Sequence, residues 1–93
     1  MIIGVITCEC LIYDAQSLKD KRAVLQRVMT RVKQKYNASV AEVDFQDSWQ
    51  RTKLALAVVT SSQVATEREL QSALAFIDSF PEMERTITKI EWL

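Results

Sequence analysis

IIGVITCECLI, residues 2–12, is the stretch on which the fold turns. In an extended strand Ile2, Gly4, Ile6, Cys8, Cys10 and Ile12 share one face, and Ile3, Val5, Thr7, Glu9 and Leu11 the other. Both faces are largely apolar, the pattern of a central strand covered on both sides. A second run of this kind, KLALAVVTS at residues 53–61, sets Leu54, Leu56 and Val58 opposite Ala55, Ala57 and Val59. Two strands this apolar belong next to each other in the middle of a sheet.

Working outward, Ser17 opens a helix as its N-cap, with Asp20 as the acid of a capping box. Leu18, Leu25, Val28, Met29, Val32 and Tyr36 fall within one arc at 100° per residue and face the core. Asn37 is placed to end this helix in the left-handed conformation. Residues 38–46 alternate, with Ala41, Val43 and Phe45 opposite Glu42, Asp44 and Gln46, which predicts a strand buried on its apolar side. Residues 47–52 (DSWQRT) supply a hairpin connection. Residues 63–80 read as a second helix capped by Ser62 and stopped by Pro81, burying Leu70, Ala73, Leu74, Ile77 and Phe80. Residues 85–92 alternate as a last strand, on which Trp92 reads as a packing residue.

The order β-α-β-β-α-β is the ferredoxin-like split motif. The expected fold is therefore α+β: a four-stranded antiparallel sheet in the order 4-1-3-2, with two helices on one face. At 93 residues the chain is one domain's worth, and residues 1–93 are read as a single ferredoxin-like domain. The other face of the sheet would carry Ile3, Val5, Leu11, Ala57 and Val59. An apolar patch of that kind rarely stays open on a monomer, so a homo-oligomer is expected.

Composition narrows the class. With 48% apolar and 26% charged residues, and only one Gly and one Pro, disorder is excluded. No apolar run approaches the length of a membrane span, and residues 1–12 lack the basic start and cleavage site of a signal peptide. A cytoplasmic protein is expected. Cys8 and Cys10, two apart on a strand, are poorly placed to bond to each other and read as reduced core thiols.

Enzymatic chemistry has little to work with. There is no His, hence no Ser-His-Asp or Cys-His pair and no His-based metal site. A single glycine rules out a Gly-rich phosphate loop. Glu42, Asp44 and Asp47 could hold a divalent ion or act as acid and base, but a solvated strand face accounts for them more simply. No catalytic, cofactor-binding or metal-binding residue is assigned.

Charge is the stronger lead. Twelve basic residues balance twelve acidic ones, yet residues 17–36 hold seven basic side chains against Asp20 alone, a net of +6. Helical angles place Lys19, Arg22 and Lys33 along one flank of the apolar stripe and Arg27 and Arg31 along the other. Strands one and three carry no aromatic on which bases could stack, which argues against the mode of single-strand RNA readers of this fold. What remains is phosphate contact by the helix, or a solvated basic face that only offsets an acidic remainder. Lys21 falls inside the apolar arc and needs an acid, with Glu42 the suggested partner. Trp49, with Arg51 two residues on, is either a contact anchor or a cap on the core edge.

Three blocks carry a resemblance. Ser17-Leu18-Lys19-Asp20-Lys21-Arg22 is similar to the S-L-K-x-K-R helix start of the YlxP-like bacterial family of unknown function. Asn37-Ala38-Ser39-Val40-Ala41-Glu42-Val43 resembles its N-x-S-V-A-E-V strand, and Asp47-Ser48-Trp49-Gln50-Arg51 its D-x-W-Q-R hairpin. The blocks occur in the family's order, and Asp20 departs from it only in standing where Glu is common. The resemblance implies a ferredoxin-like fold and a cytoplasmic protein. It also implies a neighbourhood of transcription and translation factors, and hence work on RNA or the ribosome. Two functional expectations result. One is a non-enzymatic accessory protein, RNA- or ribosome-associated through the basic helix, with Trp49 and Arg51 as partner contacts. The alternative is a dimeric protein-protein or small-ligand binding module using the open sheet face.

Overall fold

The computed structural model describes residues 1–93. Its elements in chain order are β1 (Ile2–Leu11), α1 (Leu18–Lys35), β2 (Ser39–Asp44), β3 (Arg51–Thr60), α2 (Gln63–Asp78) and β4 (Glu84–Trp92). β1 and β3 pair antiparallel over their whole length, from Ile2 opposite Thr60 to Leu11 opposite Arg51. β2 flanks β3 and β4 flanks β1, giving the antiparallel order β2-β3-β1-β4 of a ferredoxin-like sheet. The expected order, with the two most apolar strands central, is the observed one.

The helices share one face. Ile6, Cys8 and Cys10 of β1 meet Leu54, Leu56 and Val58 of β3 beneath Leu25, Val28 and Val32 of α1 and Leu70, Ala73, Leu74 and Ile77 of α2, all buried. Each large apolar side chain so enclosed contributes about 1.5–3 kcal/mol. Both cysteines are unbonded members of this core. α2 lies close on β1 because Gly4 has no side chain: a Cβ there would stand 2.7 Å from Thr66 Cγ2 and 2.8 Å from Leu70 Cδ1.

Both helix starts behave as read. Ser17 Oγ accepts from Asp20 N–H at 3.0 Å, and Ser62 Oγ from Ala65 N–H at 3.3 Å. The short acid of Asp20 reaches back to Gln16 N–H, at 3.1 Å, rather than to the N-cap residue's own amide. The α1 end differs from expectation. Tyr36 caps it in an extended conformation, and Asn37 N–H is taken by the Glu69 carboxylate of α2 at 3.1 Å, so no left-handed residue is used.

Three further differences have physical causes. β3 begins at Arg51 rather than 53, because Arg51 pairs with Leu11 and Gln50 O accepts from Ile12 N–H at 2.9 Å. α2 ends at Asp78, and Phe80 reaches the core from the turn that follows. The third concerns β2, whose phase is the reverse of the expected one. Val40 is buried and Glu42 half-buried toward α1, while Ala41 and Val43 lie on the open face. The acid is drawn inward by a buried partner described below.

The open face is less uniformly apolar than expected. Near one end Val5, Ala41, Ala55 and Ala57 line a shallow hollow of about 210 Å³, formed because three of the four side chains are only methyl groups. Near the other end lie Thr7, Glu9, Lys53, Ile87 and Lys89, so this half of the face is mostly polar. Leu11 sits at that end, opposite Arg51.

Candidate nucleic-acid interface

The start of α1 is held by one buried cation. Lys21 is 1% exposed, and its Nζ meets Glu42 Oε2 at 2.9 Å and Phe45 O at 2.5 Å. Thr52 Oγ1 donates to the same Glu42 oxygen at 2.7 Å. Phe45 is the one non-glycine residue in the left-handed region, at φ 62°, with its N–H on Asp44 Oδ1 at 2.7 Å. Its carbonyl is thereby turned to Lys21 and to Ser48 N–H. The pairing anticipated between Lys21 and Glu42 is present, and it locks α1 to the β2–β3 hairpin. It also engages Glu42, one of the three carboxylates considered for chemistry.

With α1 so fixed, its two flanks meet different surroundings. On the α2 side Arg27 pairs with Glu82, Arg31 lies 5.7 Å from the Phe80 ring centroid, and Lys35 Nζ lies 4.6 Å from that of Phe76. These cations are partnered within the molecule. On the β2 side Lys19, Arg22 and Lys33 are exposed, and none takes part in an ion pair. At 100° per residue they fall with Gln26 and Thr30 in an arc of about 80°, rising about 21 Å along the helix from first to last.

This outer stripe borders a groove of about 360 Å³ between α1 and edge strand β2, lined by Arg22, Leu25, Gln26, Met29, Thr30, Lys33 and Glu42. Lys33 also lines an adjoining hollow of about 270 Å³ at the end of α1, with Tyr36, Asn37 and Ser39. Cations and neutral hydrogen-bonding groups on one ridge beside a groove can follow a phosphate backbone without reading bases. The sequence reading named five cations for this contact, Lys19, Arg22, Lys33, Arg27 and Arg31, of which the last two are engaged by Glu82 and Phe80. It missed Gln26 and Thr30. Their angular phase was the available signal.

The hairpin residues are separated in role. Arg51 Nη2 bonds Glu9 Oε1 at 3.1 Å, and its guanidinium stacks 3.9 Å from the Phe45 ring centroid. Trp49 is 53% exposed, which is not how a cap on the core edge sits. Gln50 Nε2 ties the hairpin to Tyr13 O at 2.9 Å, bringing Trp49's loop to that of a second exposed aromatic. Tyr13, which the sequence reading passed over, has its pKa raised by the neighbouring Glu84 carboxylate, which favours the protonated hydroxyl. Both loops lie at the Lys19 end of α1. Trp92, half exposed, packs beside Gly4 at the sheet edge.

Comparison with known proteins places the chain among sequences without an assigned role. A family model described as protein of unknown function (DUF503) matches residues 3–90. A Bacillus subtilis (strain 168) protein described as uncharacterized protein YlxP is 63% identical over 91 residues, covering 98% of this chain and 99% of its own. Among solved structures, the de novo designed protein Foldit4 superposes with a TM-score of 0.57 at 10% identity, covering 100% of this chain and 97% of that one, a likeness of fold alone. No helix of the chain is long and apolar enough to cross a membrane.

Proposed function

This chain belongs to the DUF503 family of proteins of unknown function, and from its own surface we propose that it is a non-enzymatic accessory protein. It binds structured RNA, including that of the ribosome, through the outer flank of α1. The observation that carries this reading is the stripe of Lys19, Arg22 and Lys33, which have neither an ion-pair nor an aromatic partner while their counterparts on the other flank are held by Glu82, Phe80 and Phe76. Three unpartnered cations on a net-neutral protein concentrate positive potential where the molecule has most to gain from an anionic partner. Gln26 and Thr30 add neutral donors for phosphate or sugar oxygens. Trp49 offers an exposed aromatic surface at the same end as Lys19.

The mode is electrostatic and sequence-tolerant, so affinity should fall steeply with salt. Filter binding to ribosomal subunits and to structured RNA tests it. Retention at about 50 mM salt that declines with a log–log slope of about −2 to −3 is expected for three phosphate contacts. Undetectable binding at low salt would overturn the reading.

A second reading has one observation in its favour. The apolar hollow over Val5, Ala41, Ala55 and Ala57 suits a protein side chain or small apolar ligand on the open sheet face. It is the weaker of the two because half of that face is polar.

A further inference from the structure

The sheet has two edges, and they are guarded differently. β2 is short, six residues, with Val43 as its one exposed large hydrophobic side chain. β4 is nine residues long, and the chain's last residues carry Ile87, Ile90, Trp92 and Leu93, four of the ten exposed large hydrophobics of the whole molecule. Edge strands that are long and apolar invite another strand. A register shift opposite Glu9 disturbs β4 at Thr86 and Ile87. Beyond it the ladder is regular, from Thr88 opposite Cys8 to Trp92 opposite Gly4, and Leu93 N–H donates to Ile3 O at 2.9 Å. In antiparallel pairing backbone groups alternate in direction. Since Leu93 turns inward to β1, the amides and carbonyls of Thr88, Ile90 and Trp92 turn outward.

We propose that this edge pairs with the same edge of a second copy of the chain, antiparallel about a two-fold axis through Ile90. In that register Ile90 faces its own copy, and each Thr88 faces the partner's Trp92. All of these are positions whose backbone groups point outward, so roughly six hydrogen bonds can form across the seam. On the open face Lys89 stands opposite the partner's Glu91, twice by symmetry, and Ile87 opposite the partner's Leu93. The neighbouring registers lack this complementarity. An axis through Lys89 or Glu91 would oppose like charges, and one through Thr88 would set Lys89 against Ile87. The self-complementary arrangement of charges around Ile90 is what selects a second copy as the occupant. The product is one continuous eight-stranded sheet. β2 and α1's outer flank lie on the opposite edge, so the two basic stripes stand at the far ends of the dimer. The pairing does not depend on the RNA reading.

Sedimentation equilibrium of the full chain tests it, with circular dichroism to verify that each variant folds. The expected species has twice the 10.7 kDa chain mass. Lys89→Glu or Glu91→Lys alone should weaken dimerisation about tenfold, since each turns two attractions into two repulsions, and the double exchange should restore it. Ile90→Pro, which removes an outward N–H and leaves the β1 ladder intact, should give monomer. A wild-type chain that stays monomeric at millimolar concentration would overturn the proposal. So would a dimer that withstands the single charge reversals but is dispersed by Val5→Glu on the open face. Should Ile90→Pro fail to fold, the charge exchange alone decides.

Discussion

α1 and α2 lie side by side on the same face of the sheet, yet they are seated by opposite means. α2 (Gln63–Asp78) approaches β1 by close contact, with Thr66 and Leu70 over Gly4, and carries three acids against Arg68, a net of −2. α1 (Leu18–Lys35) carries a net of +6 and reaches the sheet edge through a buried ion pair, Lys21 on Glu42. A helix that keeps six surplus positive charges, with three cations that have neither an ion-pair nor an aromatic partner, is what the proposed anionic partner calls for. α2 bears the mark of a packing element. On the reading proposed above, the difference gives the binding work to α1.

Disturbing how each helix is seated puts this contrast to the test. Lys21→Met leaves Glu42 and the Phe45 carbonyl without their cation, and urea unfolding should show a loss of about 3 kcal/mol. That is the low end for a buried pair, because Glu42 retains 18% exposure. Adding Glu42→Leu should recover a large part of the loss. On α2 the corresponding change is Gly4→Ala, which forces Thr66 and Leu70 aside and should cost about 1–3 kcal/mol by the same assay. Smallest should be Arg31→Ala on the inner flank. It removes a cation from the Phe80 ring and should cost about 0.5–1 kcal/mol, with RNA binding unchanged.

Much of this was legible in the residues. The period-two runs at 2–12 and 53–61 located β1 and β3 at the centre of the sheet because a central place pairs both of their edges and lays their most apolar side under the helices, although their other face stays open. Ser17 and Ser62 declared the helix starts through chemistry local to the chain. Lys21 could be matched to an acid because a cation inside an apolar arc demands one. The phase of β2 was misread for a related reason. Ala41 and Val43 look like the buried side of the strand only if Glu42 is solvated. A Glu42 that pairs with Lys21 must face α1, so the two expectations were incompatible, and the ion pair prevailed. The α1 ending escaped notice because its partner, Glu69, is 32 residues away in sequence. Nor could spacing reveal which flank of α1 was already satisfied. Glu82 and Phe80 belong to the α2–β4 connection, and only the fold brings them to Arg27 and Arg31.

The most direct experiment sets the two flanks of α1 against each other. Arg22→Gln with Lys33→Gln, and separately Arg27→Gln with Arg31→Gln, would be titrated against one structured RNA across a range of salt concentrations. The outer pair should weaken binding up to about 100-fold at low salt and reduce the salt slope by about 1.5, whereas the inner pair should leave the slope unchanged. Equal losses from both pairs, or a loss confined to the inner pair, would contradict the division of labour described for α1.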